Sequence, residues 1–222
     1  PDEPERLYTM REPRARWCVC GDQEDNSMWF PRDSPVITRT GVRLATALAV
    51  QYGWDLNAWD VKGAYLNTAP PRKGLCVRPP PELIRDNGWP EDSILELLSA
   101  QYGIADSGRA WFWCAHNYLV SLGCLPTKSD SCFFRYYRPG NDTGHPDGFL
   151  ALNVDDTLWA GNEHFVKDIM MPFAKKFVIG SKSSGQFVFC GLEFKQDPVT
   201  KEVTITMNDY ISSMSDVVLN SK

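Results

Sequence analysis

The segment LALNVDDTLWAG, Leu150 to Gly161, constrains the fold more than any other part of the chain. Two short apolar runs flank two adjacent carboxylates, Asp155 and Asp156. Runs of this kind around a polar break read as the arms of a β-hairpin, Phe149 to Val154 and Thr157 to Ala160. Aspartate is common in tight turns, so the pair alone is compatible with plain turn chemistry. Two like charges at the tip of a buried hairpin nevertheless repel by about 3 kcal/mol at ~5 Å and an effective dielectric of ~20. A cation would remove that cost, and carboxylate oxygens suit Mg²⁺.

A third carboxylate stands in WDVKGAYLN, Trp59 to Asn67. Asp60 lies near the end of a short apolar strand, Leu56 to Val61, and a helical turn from Lys62 to Leu66 follows at once. Alone, Asp60 reads equally as a helix N-cap. If adjacent strands of one sheet bring the three acids together, they match a site in which two Mg²⁺ ions ~3.5–4 Å apart stabilise in-line displacement at phosphorus.

Elsewhere, Arg14 to Cys20 alternates as a strand would. Thr38 to Tyr52 has Val42, Ala45, Leu48 and Ala49 at helical spacing, with Gly53 as its C-cap. A Pro-rich loop spans Pro70-Pro71 and Pro79-Pro80-Pro81. Ser107 to Leu122 reads as a helix with Asp106 or Ser107 as N-cap. Ser131 to Tyr137 is a strand, and Glu163 to Phe177 a helix. Gln186 to Phe194 and Glu202 to Thr206 form a strand pair, Ser183-Ser184-Gly185 with Lys182 a turn, and Asn208 to Leu219 a last helix. Helices and antiparallel strands interleave without βαβ spacing, which predicts an α+β fold with helices packed on one face of an antiparallel sheet. Neither G-x-G-x-x-G nor G-x-x-x-x-G-K-[ST] occurs.

Charge bears on the partner. Lys plus Arg number 23 against 28 for Asp plus Glu, a net charge of −5, so there is no whole-chain basic footprint for nucleic acid. A nucleic-acid site must then be a local cleft, or be completed by metal ions or further segments. The seven cysteines include no C-x-x-C and read as free thiols of a reducing compartment. Apolar runs such as Leu44 to Val50 fall far short of the ~20 residues that span a bilayer. The chain begins at Pro1, which suggests a segment of something longer.

The pair DVKGAYLN and NVDD resembles the first and third catalytic motifs of reverse transcriptases, and more specifically those of copia-type (pseudoviral) LTR retrotransposons. RARWCVCG and DSPVITRTGVRL resemble the family's fingers segment, where K-A-R-L/W precedes S-P-V and a helix. DVKGAYLN resembles D-V-K-T-A-F-L-N, and QYGIADSGRAW resembles L-Y-G-L-K-Q-A-P-R-A-W. LGCLPTKSDSCFF resembles L-G-F-x-x-S-x-x-D-x-x-x-F, and FVFCGLEF resembles F-L-G-I-E-I, the primer grip. The likeness is collinear from about Arg14 to Tyr210, and its specificity lies in order and spacing.

The resemblance implies a reverse-transcriptase-like fingers-and-palm core. It divides the chain into an N-terminal fingers segment (1–53), a palm motif with the first catalytic acid (54–69), a fingers or connecting region (70–104), palm (105–206) and the start of a thumb or connection (207–222). It implies catalysis by Asp60, Asp155 and Asp156, with two Mg²⁺ (or Mn²⁺) ions held by these acids and the Val61 carbonyl. It places Lys62, Gly63, Ala64, Tyr65, Asp106, Arg14 and Arg16 around the incoming dNTP: the amides from Lys62 to Tyr65 face phosphate, and Tyr65 is a steric gate against a ribose 2′-OH. Cys190 and Gly191 fall in the primer grip and Asn153 beside the primer terminus. The implied partners are an RNA or DNA template with its primer, dNTPs, and other polyprotein segments such as integrase and ribonuclease H. No membrane partner is implied, and the location is intracellular, in a cytoplasmic particle.

Two departures from the family pattern matter. Asn153 replaces an aromatic residue, and Asp106 replaces Gln, bringing a carboxylate toward the triphosphate. They keep two alternatives open: a catalytically inactive remnant, and a non-catalytic module of the same fold binding nucleic acid or protein. The acidic balance speaks against a non-catalytic grip, because nucleic-acid affinity without chemistry draws on Lys and Arg.

Overall fold

The first long helix shows how local sequence sets the frame. Thr38 is its N-cap, with Oγ1 accepting from the Gly41 amide at 2.9 Å, and Gly53 closes it in the left-handed conformation that glycine favours. Asp130 braces the cap from a distant loop: its Oδ2 accepts from the Thr38 amide and hydroxyl at 2.9 and 2.8 Å. In the computed structural model, residues 17–23 and 31–214 are described.

In chain order come a 3₁₀ turn (Gly21–Gln23), α1 (Arg39–Tyr52), β1 (Asn57–Val61), a second 3₁₀ turn (Ala64–Asn67), β2 (Cys76–Val77), α2 (Pro81–Asn87) and β3 (Leu95–Glu96). Then follow α3 (Ser107–Ser121), β4 (Leu125–Pro126), β5 (Phe133–Tyr136), β6 (Gly148–Asn153), β7 (Asp156–Gly161), α4 (Glu163–Phe165), a π turn (Val166–Met170) and α5 (Met171–Lys176). Last are β8 (Ile179–Ser184), β9 (Gln186–Phe189), β10 (Leu192–Gln196), β11 (Val203–Thr206) and α6 (Asn208–Ser213).

A six-stranded sheet in the order β4-β5-β6-β7-β1-β8 forms the centre, and its pairings are antiparallel. Mixed helix and antiparallel sheet is the α+β class expected. Its inner strands β6 and β7 are buried along most of their length. Rings from the helices meet one face: His116 of α3 lies against Phe134, and Phe165 lies between Tyr136 and Trp159. Helix α1 lies against β6 and β7, and Trp54, just beyond it, meets Phe149. A smaller sheet, β11-β10-β9, joins the main body through buried Gln196. Its Oε1 accepts from the Leu56 amide at 2.8 Å, and its Nε2 donates to the Trp54 carbonyl at 3.0 Å.

Several expected elements differ. Trp17 to Cys20 forms no strand; the Val19 amide donates to the Tyr102 carbonyl at 2.8 Å, one link to a distant segment where a ladder needs a series, and its carbonyl accepts locally from the Gly21 amide at 3.0 Å. Arg14 and Arg16 lie outside the described residues. The segment read as a turn at Lys182 to Ser184 belongs to β8, and only Gly185 turns the chain into β9. The expected strand Gln186 to Phe194 is two strands with a reversal at Cys190-Gly191. The Pro-rich loop runs into α2, where Pro81 takes the first turn that tolerates its missing N–H. The helix 163–177 is broken by a π turn ahead of Pro172, which has no amide to donate. Helix α6 ends at Ser213, with Met214 extended; residues 215–219 of the expected last helix lie outside the described residues.

Candidate metal centre

Sheet order builds the site. Strand β1 pairs with β7 so that Asp60 stands directly opposite Asp156, and Asn153 is opposite Asp156 on the other side. The hairpin turn is Val154-Asp155, so Asp155 sits at the tip while Asp156 opens β7. Three acids far apart in sequence thus converge: one carboxylate oxygen from each of Asp60, Asp155 and Asp156 lies within 4.8 Å of the others.

The backbone locks this arrangement. Val61 donates its amide to the Asp155 carbonyl at 2.8 Å, and the Trp111 indole donates to the Val154 carbonyl at 2.6 Å. Trp111 is otherwise buried core, packed edge-on to Phe177. Val154 has φ +55°, a region costly for a β-branched residue. The strain is held at the tip by these contacts and falls beside the carboxylates, where stored backbone strain tends to cluster.

No donor among the described residues reaches any of the three carboxylates. Burial, and then the charge of Asp155, raises the Asp60 carboxyl above its ordinary range. Burial, followed by the charges of Asp155 and Asp60, pushes Asp156 up to about 6. Acceptor-only oxygens crowded together without donors fit a hard divalent cation. This donor set suits Mg²⁺ or Mn²⁺ better than zinc, which takes His and Cys readily.

Lys62 to Tyr65 follow Asp60 directly, but the Lys62 amide already donates to the Val178 carbonyl at 2.8 Å, so it is withdrawn from the set expected to face phosphate. Gly63 and Ala64 lead into the 3₁₀ turn, whose Tyr65 ring lies 5.0 Å from that of Tyr102. A Cβ on Gly108 would come 3.6 Å from the Tyr65 hydroxyl, so the start of α3 borders the same space. Asp106 is the N-cap residue of α3, its carbonyl accepting from the Ala110 amide at 3.0 Å, but its side chain makes no capping bond: it is buried and gripped by Arg72, Nε to Oδ2 at 3.1 Å and Nη2 to Oδ1 at 3.3 Å. The repulsion expected from its charge is therefore compensated within the protein. Arg72, lying in the Pro-rich segment, carried no motif that announced it.

Cys190 and Gly191 form the two-residue β9–β10 turn, both with positive φ (50° and 73°), as a type I′ turn requires. Burial and then the Asp156 charge push the Cys190 thiol up to about 11, which places this turn within electrostatic reach of the acids.

Comparison with known proteins places the chain in a family. The family described as reverse transcriptase (RNA-dependent DNA polymerase) matches residues 11–220, and the chain belongs to it. Its relatives are retrotransposon polyproteins. The chain is 27% identical over 166 residues to the retrovirus-related Pol polyprotein from transposon RE2 of Arabidopsis thaliana, covering 74% of the chain and 11% of the relative. The Pol polyprotein from transposon TNT 1-94 of Nicotiana tabacum is 22% identical over 201 residues, 89% of the chain and 14% of the relative. These matches support a copia-type reverse transcriptase. The chain spans about a tenth of the length of these relatives. Among solved structures, an apo telomerase from Candida tropicalis, truncated from its C-terminal domain, is similar at a TM-score of 0.41 and 10% identity, covering 77% of this chain and 40% of that one. No helix among the described residues is long and apolar enough to cross a membrane.

Proposed function

We propose that this chain is the fingers-and-palm core of an RNA-directed DNA polymerase, joining dNTPs to a primer 3′-OH on an RNA or DNA template. The observation that carries the reading is the convergence of Asp60, Asp155 and Asp156 within 4.8 Å, with none of the described residues donating to them. Asp60 and Asp155, with the Val61 carbonyl, would hold two Mg²⁺ ions (Mn²⁺ serving as well), and Asp156 would complete the acidic set. Bound divalent ions supply Lewis-acid activation of the primer hydroxyl and neutralise charge on the α-phosphate and leaving pyrophosphate.

The chain's own groups hold and select. Lys62, Gly63 and Ala64 line the triphosphate side, with Asp106 and its partner Arg72 bordering it. Tyr65 closes the space beside the sugar C2′. Asn153 lies beside the primer terminus, and the Cys190-Gly191 turn presses on the primer strand. Arg14 and Arg16 are proposed as triphosphate or template contacts. The palm draws on 54–69 and 105–206, the fingers on 1–53 and 70–104, and 207–222 begins the thumb or connection. Integrase and ribonuclease H segments of a polyprotein are the proposed neighbours.

Of the two departures that spoke for an inactive remnant, Asp106 loses its force because Arg72 meets its charge. Template-primed dNTP incorporation in Mg²⁺ or Mn²⁺ is the expected activity, and Asp155→Asn should abolish it; equal incorporation by that variant overturns the assignment. Tyr65→Ala should admit ribonucleotides, and unchanged sugar discrimination removes the gate.

A further inference from the structure

Strand β8 runs beside Asp60 and carries Gly180 at an exposed position. Its backbone is not in the left-handed region, so conformation gives no reason for glycine there. Glycine inside a strand weakens it, and often marks a place where something approaches the backbone closely. Here the approaching group is identified. A Cβ built on Gly180 would stand 2.5 Å from Asp60 Oδ2, with the Lys62 Cβ at 3.5 Å on another side.

The Asp60 backbone cannot give way easily. It is paired to Asp156 on one flank and to Ser181 on the other, with a bulge just after it. The carboxylate itself has no donor among the described residues, so its direction is set by the room available. We propose that Gly180 is a positioning residue: its missing side chain leaves the gap in which the Asp60 carboxylate stands toward Asp155 and Asp156. This rests on the reading of those acids as metal ligands. Any larger residue occupies the gap and turns one carboxylate out of the set.

The role separates from fold stability. An alanine at an exposed strand position with ordinary φ removes glycine's entropic handicap, so Gly180→Ala should fold at least as stably as the parent. Its affinity for Mn²⁺, read from the free-ion signal in electron paramagnetic resonance, should fall about 10- to 100-fold. Ser181→Ala, one residue along the same strand, should leave the affinity unchanged. Asp155→Asn in the same titration tests the underlying reading: if it binds Mn²⁺ as well as the parent does, the acids are not the ligands. If Asp155→Asn loses the ion while Gly180→Ala keeps parental affinity, the positioning role is overturned and the metal reading survives. A crystal structure of Gly180→Ala decides the point independently of any metal. Asp60 in a new rotamer supports the role, and Asp60 unmoved against the new methyl group refutes it.

Discussion

The two ends of the β6–β7 hairpin place aspartates in opposite surroundings. At the closed end, Asp155 and Asp156 cluster with Asp60 and receive no donor from the described residues. At the open end, Asp147 is buried and fully engaged. It accepts from the Arg138 amide at 2.9 Å and from the Asn141 and Asn162 side chains at 2.8 Å each, and pairs with the Arg138 guanidinium at 3.4 Å. Burial pushes the Asp147 carboxyl upward, but these donors and the Arg138 charge outweigh it and bring it below its ordinary range. Burial at the closed end meets like charges instead, and Asp156 rises to about 6. One end is an acid satisfied by the protein. The other is a set of acids to which none of the described residues donates.

The largest test of this contrast is function. Asp155→Asn, and equally Asp60→Asn, should remove primer extension entirely, whereas Asp147→Asn should change it only as far as folding suffers. Next comes stability. Asp147→Ala strands several buried donors and should cost about 3 kcal/mol in urea unfolding, while Asp156→Asn should stabilise the metal-free protein by about 1 kcal/mol after solvent screening. Unequal signs at the two ends support the comparison; a loss at both breaks it.

A finer test uses pH. Because the folded Asp156 carboxyl titrates near 6 and its ordinary value is 3.8, the folded state holds a proton in that window that the unfolded state has released. Its destabilising contribution is full above pH 6 and fades as pH falls toward 4. In chelator, the parent should therefore gain stability from pH 7.5 to 5.5 relative to Asp156→Asn, and Mn²⁺ affinity should weaken over the same interval. Asp147 acts in the reverse sense: its stabilisation is present above its ordinary range and is lost only in stronger acid. The smallest effect is Asn141→Ala, which removes one of several donors to Asp147 and should cost about 1 kcal/mol.

Much of the frame was legible because its residues signal locally. Thr38 and Gly53 bound α1, and the apolar arms around Asp155-Asp156 announced the hairpin, although its turn is Val154-Asp155 and Asp156 already belongs to β7. That Asp60 stands opposite Asp156 depends on sheet order, which spacing alone does not dictate; motif order suggested it. Strand β8 escaped because IGSKSS is polar and exposed, so no buried face leaves an alternation to read. Helix α2 hid behind three prolines. The partner of Asp106 was unreadable because Arg72 is fixed by tertiary packing and its neighbours give no signal. The room Gly180 leaves was silent for the same reason: a missing atom matters only once another strand lies beside it.

Gln196 also joins two places. Because it holds the Trp54 and Leu56 backbone just ahead of β1, the small sheet is moored at the root of the strand that carries Asp60. The Cys190-Gly191 tip is thus indexed to that strand, as a gauge is to its rail. With the tether cut, the tip could wander while each sheet stayed whole, and the turn would lose its alignment with the acids.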